Sequence, residues 1–182
     1  MRILIATPLF PPDTAPAAVY AKELAARLSG LHEVSVVAYS YIPEQVPGAQ
    51  IHAVSKRQPV PIRITAFMAA LFQKARHADI LYVLNGSSAE LPAALVSRLT
   101  GTPLVLGISD AAAHEHAQHS SLHAMIERLA RIQARSIISE MPVPRPEILP
   151  LEQKDGAAFS RYEASWEAHL ATLVSACTYE KK

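Results

Sequence analysis

Short segments that contain polar residues able to bind a hydroxyl-bearing ligand follow three of the predicted strands in this chain. Pro12, Asp13 and Thr14 come after the first apolar run, Asn85-Gly86-Ser87 after another, and Ser109-Asp110 after a third. Ligands of open α/β sheets bind beyond the carboxyl ends of the strands. We therefore expect these residues at one edge of a sheet, where they would line a single crevice.

Asp110 is the candidate catalytic residue, because a carboxylate can accept a hydrogen bond from a reacting hydroxyl group. Capping of the following helix is the commoner role for Asp at such a position, and it remains an alternative. Likewise, Asn85-Gly86-Ser87 could line the crevice or could simply turn the chain.

A histidine cluster raises the question of a metal site. Glu115, His119 and His123 are spaced to share one helix face, and His114 and His116 lie beside them. No fourth ligand is evident, and a solvated polar face explains the same spacing. We expect no metal. No glycine-rich phosphate motif occurs either, so we expect no cofactor.

Strand and helix patterns alternate along the chain, which predicts a parallel sheet with right-handed crossovers. The fold class is therefore α/β, a single Rossmann-like domain with helices flanking the sheet. Leucine spacing marks the third helix by Leu91, Leu95 and Leu99, with Pro92 in its first turn and Gly101 at its end. The predicted strands are 2–6, 32–38, 50–54, 79–84, 103–108 and 135–139.

Composition narrows the function classes. Half of the 182 residues are hydrophobic and the net charge is +1, so we expect no nucleic-acid partner. The single Cys177 excludes an internal disulfide and fits a reducing compartment. No run reaches the roughly 18 apolar residues of a membrane span, and the apolar run before Pro8 is too short for a secretory signal. We expect a cytoplasmic protein without a transmembrane segment.

Four stretches carry a resemblance to a known family. They are Met1-Arg2-Ile3-Leu4-Ile5-Ala6, Phe10-Pro11-Pro12, 21–28 and 32–37. Together they resemble the start of a family 4-type glycosyltransferase of the GT-B fold. In that family an N-terminal Rossmann-like domain usually binds the acceptor, and a C-terminal one binds the nucleotide sugar. The resemblance covers residues 1–140 and implies the acceptor half of a sugar-transferring enzyme.

The chain departs from the family pattern in three places. The usual Gly-Gly pair before the first helix is replaced by residues 14–18, Thr-Ala-Pro-Ala-Ala. The usual His of a His-Asp pair is Ser109, although His114 or His116 could take its place as a base. The donor-domain pair of Glu residues with seven residues between them is absent. The alternative to a half-enzyme is thus a non-catalytic binding or scaffold module that kept the fold.

The last part of the chain is predicted to be a helix after a proline-rich linker. We divide the chain into a domain at 1–140, a linker at 141–156, and a helix with its tail at 157–182. Phe159, Tyr162, Trp166, Leu170, Leu173 and Val174 form its apolar stripe. It resembles the helix that returns to the first domain in GT-B enzymes, which would place it near Leu9, Phe10 and Tyr20. An ordinary C-terminal helix remains the alternative.

Partners follow from the same considerations. A separate donor-domain chain or a second copy would complete a half-enzyme, and a lipid-linked or glycan molecule would be the acceptor. Basic residues flank the apolar stripe of the second predicted helix, 62–76, which suits peripheral contact with an anionic membrane. A core-facing helix with solvated basic side chains is the default explanation. The residues are Lys56, Arg57, Arg63, Lys74 and Arg76.

Overall fold

A computed structural model describes residues 1–84, 86–108, 121–143, 145 and 156–178. These residues form six strands and five helices. In chain order they are β1 (Arg2–Thr7), α1 (Pro16–Ser29), β2 (Glu33–Tyr39), β3 (Ala49–Val54), α2 (Val60–Ala75), β4 (Ile80–Leu84), α3 (Ser87–Thr100), β5 (Leu104–Gly107), α4 (Ser121–Gln133), β6 (Ala134–Ile138) and α5 (Gly156–Thr178).

The six described strands form one sheet in the order β3-β2-β1-β4-β5-β6, and every neighbouring pair is parallel. The chain winds outward from β1 to β3, then crosses back and winds the other way from β4 to β6. The direction therefore switches between β1 and β4. The predicted Rossmann-like α/β fold is confirmed, and β1 and β4 are its central strands, in which every residue except Arg2 is buried.

Two apolar cores lie on opposite faces of the sheet, because successive side chains of a strand point to opposite sides. Ile3 and Ile5 face the core beneath α1 and α5, whereas Leu4 and Ala6 face the core beneath α2, α3 and α4. Near-continuous apolar strands are what a sheet covered on both faces requires.

The leucines whose spacing marked α3 do not form its buried face. Leu95 and Leu99 are exposed, and the helix instead buries small residues, including Ala89 and Ala93. Small side chains allow α3 to pack closely between α2 and α4. The apolar residues of α4 are also mostly exposed, with only Ile126 and Ala130 buried among the described ones, since this helix covers the end of the sheet.

Pro92 lies inside α3 rather than in its first turn. Proline has no N–H, so the carbonyl of Ser88, four residues earlier, lacks its helical donor. The hydroxyl of Tyr39 donates to that carbonyl over 3.0 Å. A side chain from β2 thus supplies the hydrogen bond that the proline removes. The predicted terminus at Gly101 is confirmed, with φ of 74°.

Helix α5 covers the core on the α1 side of the sheet. Trp166 stacks on Tyr20 with ring centroids 5.5 Å apart, and Tyr162 and Leu173 are also buried in this core. Arg27 of α1 lies 4.9 Å from the centre of the Trp166 ring and makes two 2.8 Å hydrogen bonds to the carboxylate of Glu163. The expected position beside Tyr20 is therefore observed.

Among the residues that the structure describes, no helix combines the length and the apolar character needed to cross a bilayer.

Candidate functional site

The loops after β1 and β4 meet at the point where the winding direction of the sheet switches. Gly86 has φ of 138°, and a Cβ at this position would lie 2.9 Å from Cγ of Pro8. Only glycine suits both the backbone conformation and the space. Gly86 and Ser87 are therefore held directly beside the β1 loop, at the edge where α/β proteins bind ligands.

The β1 loop is held in place by hydrogen bonds and one buried aromatic ring. Thr7 is buried, and its hydroxyl donates to the carbonyl of Leu9 over 2.7 Å. Phe10 is fully buried, and the carbonyl of Pro11 accepts from the backbone N–H of Glu44. The Pro11–Pro12 peptide bond is cis. The loop therefore presents Pro12 and Thr14 to solvent from an ordered frame.

Asp13 is the charged group of this loop, and both of its carboxylate oxygens are engaged. Oδ2 accepts from Nζ of Lys56 over 2.9 Å, and Oδ1 accepts from the N–H of Ala15 over 3.1 Å. Hydrogen bonding by Lys56 is the main cause that lowers the pKa of Asp13, with a further contribution from Ala15. Asp13 is thus ionised at neutral pH and can only accept hydrogen bonds.

The N-terminus of α1 offers few donors to an anion. Asp13 accepts the N–H of Ala15, Pro16 has none, and the N–H of Ala18 already donates to the carbonyl of Ala15. Phosphate sites at helix N-termini need free backbone N–H groups and close backbone approach. The carboxylate of Asp13 also lies where a phosphate would sit, and it would repel one.

Glu90 is a buried carboxylate that the sequence analysis missed. It is only 5% exposed, and Oε1 accepts from the N–H of Gly86 over 3.2 Å. It therefore holds the β4 loop in position at the start of α3. The sequence signal was a single acidic residue within the otherwise small and apolar run 89–96, since buried carboxylates occur where they have partners.

The predicted binding residues do not form one described group. Gly86 and Ser87 lie against the β1 loop, whereas Asp13 turns towards Lys56, which follows β3. Lys56 was not predicted as a partner of Asp13. Asn85, Ser109, Asp110 and His114 lie outside the described residues, as do Glu115, His116 and His119. His123 is exposed on α4, and the described part of the chain contains no cluster of metal-ligating side chains.

A chain of partly buried hydrogen bonds joins α1, β4 and α5 on one face of the sheet. Nδ1 of His169 lies 2.9 Å from the carbonyl oxygen of Glu140, which can only accept, so Nδ1 carries the proton. Nε2 of the neutral ring then accepts from the hydroxyl of Tyr20 over 2.6 Å. The hydroxyl of Tyr82 lies 3.0 Å from that of Tyr20 and completes the chain.

Burial governs the titration of these groups. It lowers the pKa of His169 and raises the pKa of Tyr20 and of Tyr82. The phenol of Tyr82 crosses Gly107 of β5 so closely that a Cβ there would lie 2.1 Å from its oxygen. All three rings are therefore neutral at pH 7, and they connect the last helix to the centre of the sheet.

Comparison with known proteins gives a family and a fold. A family model described as "Glycosyl transferase 4-like domain" matches residues 17–141. The crystal structure of HepE (Alr3699) from Anabaena in complex with UDP and glucose is 18% identical with a TM-score of 0.54, over 91% of this chain and 41% of that one. A putative UDP-N-acetylglucosamine 2-epimerase from Listeria monocytogenes is 14% identical with a TM-score of 0.52, over 92% and 43%. No curated protein matches the chain.

The chain spans about two fifths of the length of these solved structures. At these identities the likeness concerns the fold alone. The shared part is one Rossmann-like unit of those longer chains.

Proposed function

The chain belongs to the glycosyl transferase 4-like domain family, and on this basis we propose that it is the acceptor-binding half of a glycosyltransferase. The reaction is transfer of a sugar from a nucleotide donor to a hydroxyl group of the acceptor. A donor-binding domain outside these 182 residues holds the nucleotide sugar. Transfer between two such units depends on positioning and on electrostatic stabilisation.

The N-terminus of α1 is the observation that carries this proposal. Asp13 occupies it, Pro16 removes a donor, and no glycine allows close backbone approach. This edge suits a ligand rich in hydroxyl groups better than a diphosphate. In the proposed site the acceptor contacts Pro12, Asp13, Thr14, Asn85, Gly86, Ser87, Ser109 and His114, and Asp110 accepts the proton of the reacting hydroxyl.

Binding of oligosaccharides and of UDP to the purified chain tests this proposal. Saturation-transfer NMR should detect contact with a hydroxyl-rich oligosaccharide from a mixed glycan panel and none with UDP. UDP-glucose should be neither hydrolysed nor used by the chain alone. Turnover by the chain alone would exclude a half-enzyme, and UDP binding with no binding by any glycan would exclude an acceptor site at this edge.

Asp13 and Asp79 provide a matched pair for locating the glycan. Both are ion-paired carboxylates, but Asp79 pairs with Arg2 at the opposite edge of the sheet, 2.8 Å away. Asp13→Asn should weaken glycan binding about tenfold or more, since a hydrogen bond to a charged group contributes about 1.5–3 kcal/mol. Asp79→Asn should leave binding unchanged. Equal effects of the two substitutions would mean that the glycan binds elsewhere.

A non-catalytic binding or scaffold module is the second candidate, and the Asp13–Lys56 ion pair favours it. Each carboxylate oxygen of Asp13 already accepts one hydrogen bond, so a ligand must share the carboxylate with Lys56 and the N–H of Ala15. The two candidates differ in their partner. A half-enzyme binds a donor-domain chain or a second copy and then transfers sugar, whereas a scaffold binds without any transfer.

A lipid-linked acceptor would bring the chain to a membrane, and exposed residues next to the site support such contact. Ile42, Val60 and Ile62 are more than half exposed, and the guanidinium of Arg57 lies 3.8 Å from the centre of the Tyr41 ring. Apolar and basic side chains together suit an anionic surface. Co-sedimentation with anionic vesicles should fall on Arg57→Gln and remain unchanged on Arg161→Gln. Equal retention by both variants would contradict membrane contact here.

A further inference from the structure

A cavity of about 780 Å³ lies at the amino-terminal edge of the sheet, opposite the proposed acceptor site. It is bounded by the ends of α3 and α4, the first residues of β5 and β6, and the last turns of α5. This volume is within the range of about 300–1,000 Å³ that small-molecule sites occupy.

Two arginines give the cavity a positive charge. Arg98 and Arg135 both line it, and no Asp or Glu is among the described residues of its wall. Neither arginine forms an ion pair with another described residue. The carbonyl ends of α3 and α4 reach the same region, and each is equivalent to roughly half a negative charge. Two full guanidinium charges exceed that, so the cavity favours an anion.

Arg135 also carries an unmet hydrogen-bonding group. Its Nη2 is buried and has no acceptor among the described residues, which is costly for a charged donor removed from water. The side chain lines the cavity, so an oxyanion that bridges two guanidinium nitrogens would supply the missing acceptor. Bidentate pairing of this kind is the usual way in which arginine binds phosphate.

The remaining wall suits the organic part of a ligand. Ser136 and Thr172 contribute hydroxyl groups, and Leu104 and Ile132 contribute apolar surface. A bare phosphate would fill only a small part of the volume. We propose that this cavity binds a small organic phosphate of sugar-phosphate size, with the phosphate group on Arg98 and Arg135.

Such a ligand would contact α5 and the sheet at once, because Thr172 belongs to the helix and Ser136 to β6. Its binding would therefore strengthen the attachment of the last helix. This site is independent of the acceptor site, since the two lie at opposite edges of the sheet. A negative result for the phosphate cavity would therefore not contradict the proposed acceptor site, and the reverse also applies.

Calorimetric titration of the full chain with glucose 6-phosphate, inorganic phosphate and glucose tests the proposal. Glucose 6-phosphate should bind saturably and at least tenfold more tightly than inorganic phosphate, and glucose should not bind at this site. Arg135→Gln and Arg98→Gln should each weaken glucose 6-phosphate binding at least tenfold. The ligand should also raise the melting temperature of the wild type but not of Arg135→Gln.

Arg128 is the matched control, because it is an exposed arginine of α4 outside the cavity. Arg128→Gln makes the same change in net charge and should leave binding unchanged. Equal losses for Arg128→Gln and Arg135→Gln would show attraction by overall charge only and would overturn the proposal. Absence of saturable binding by both phosphates would overturn it as well.

Discussion

The hydroxyl of Tyr39 replaces a backbone donor that Pro92 cannot provide, and the two residues are 53 positions apart in the chain. Burial of this phenol raises the pKa of Tyr39 to about 12, so it remains a donor at neutral pH. The pairing explains why a proline is tolerated inside α3, where it would otherwise leave the carbonyl of Ser88 without a partner.

A double-mutant cycle should reveal this replacement. Tyr39→Phe should lower the free energy of unfolding by about 1 kcal/mol in the wild type, the usual value of one such hydrogen bond. In a Pro92→Ala background the loss should be smaller, because the new N–H can donate to the Ser88 carbonyl. Urea unfolding of the four proteins measures both values. An equal loss in the two backgrounds would contradict the argument.

His169 should make stability depend on pH in the mildly acidic range. Burial lowers its pKa in the folded chain below the usual 6.5, so the unfolded chain takes up a proton first as pH falls. Stability is therefore fully present above about pH 6.5 and decreases as pH falls below that value. The decrease ends only near the lower pKa of the folded state, where the folded chain is protonated as well.

Urea midpoints measured from pH 8 to pH 5 test this dependence, with His169→Gln as the comparison. His52 contributes in the same direction, because burial also lowers its pKa. The variant should therefore show a weaker slope rather than none. A slope identical to that of the wild type would mean that His169 is not the responsible group.

Helix α5 packs against α1 through aromatic and charged side chains along one of its faces. Trp166 is 3% exposed, stacked on Tyr20 and capped by Arg27, whereas Phe159 of the same helix is 51% exposed. The middle and later residues of the predicted apolar stripe are therefore buried or partly buried, but its first residue, Phe159, is exposed. Phe159 lies near the start of the helix, where its ring contacts that of Tyr162 with centroids 6.0 Å apart but stays half exposed.

Trp166 and Phe159 provide a direct comparison of buried and exposed aromatics on one helix. Trp166→Ala should lower the free energy of unfolding by about 3–5 kcal/mol, as expected for a buried aromatic residue. Phe159→Ala should lower it by less than about 0.5 kcal/mol, because the site is mainly in solvent. Chemical denaturation measures both. Similar effects would mean that α5 is not docked through this face.

The molecule as a whole depends on α5 to close one of its two cores. Ile5, Leu24 and Tyr82 belong to the same buried cluster as Trp166 and Leu173. Without the helix, the apolar surface beneath it would face water, and exposed patches of that kind promote association. The helix is thus part of the folding unit.

A chain that ends at Pro150 should therefore melt at a lower temperature than the full chain at every protein concentration. Analytical ultracentrifugation of the same samples should show more self-association of the shortened chain. An unchanged melting temperature at low concentration would contradict intramolecular docking. It would instead identify α5 as a partner-binding element.

Most of the architecture was predictable from sequence because it rests on local patterns. Apolar runs predicted the strands, and periods of three and four predicted the helices, including α5 and its face around Trp166. The motif at 10–12 and its neighbours indicated the family that the family model confirms. The loss of Gly-Gly at 14–18 likewise indicated a helix N-terminus poor in phosphate donors.

Long-range contacts decided the rest. Leucine spacing predicted α3 but not its buried face, because close packing between two helices favours alanine over the larger residue. The Asp13–Lys56 pair and the hydrogen bond chain through His169 join residues that are distant in sequence. Periodicity indicates which residues are buried, whereas the contacts between side chains depend on how the elements pack in three dimensions. Sequence therefore determined the elements and predicted an edge for the candidate site, and only the tertiary structure determined which side chains face one another.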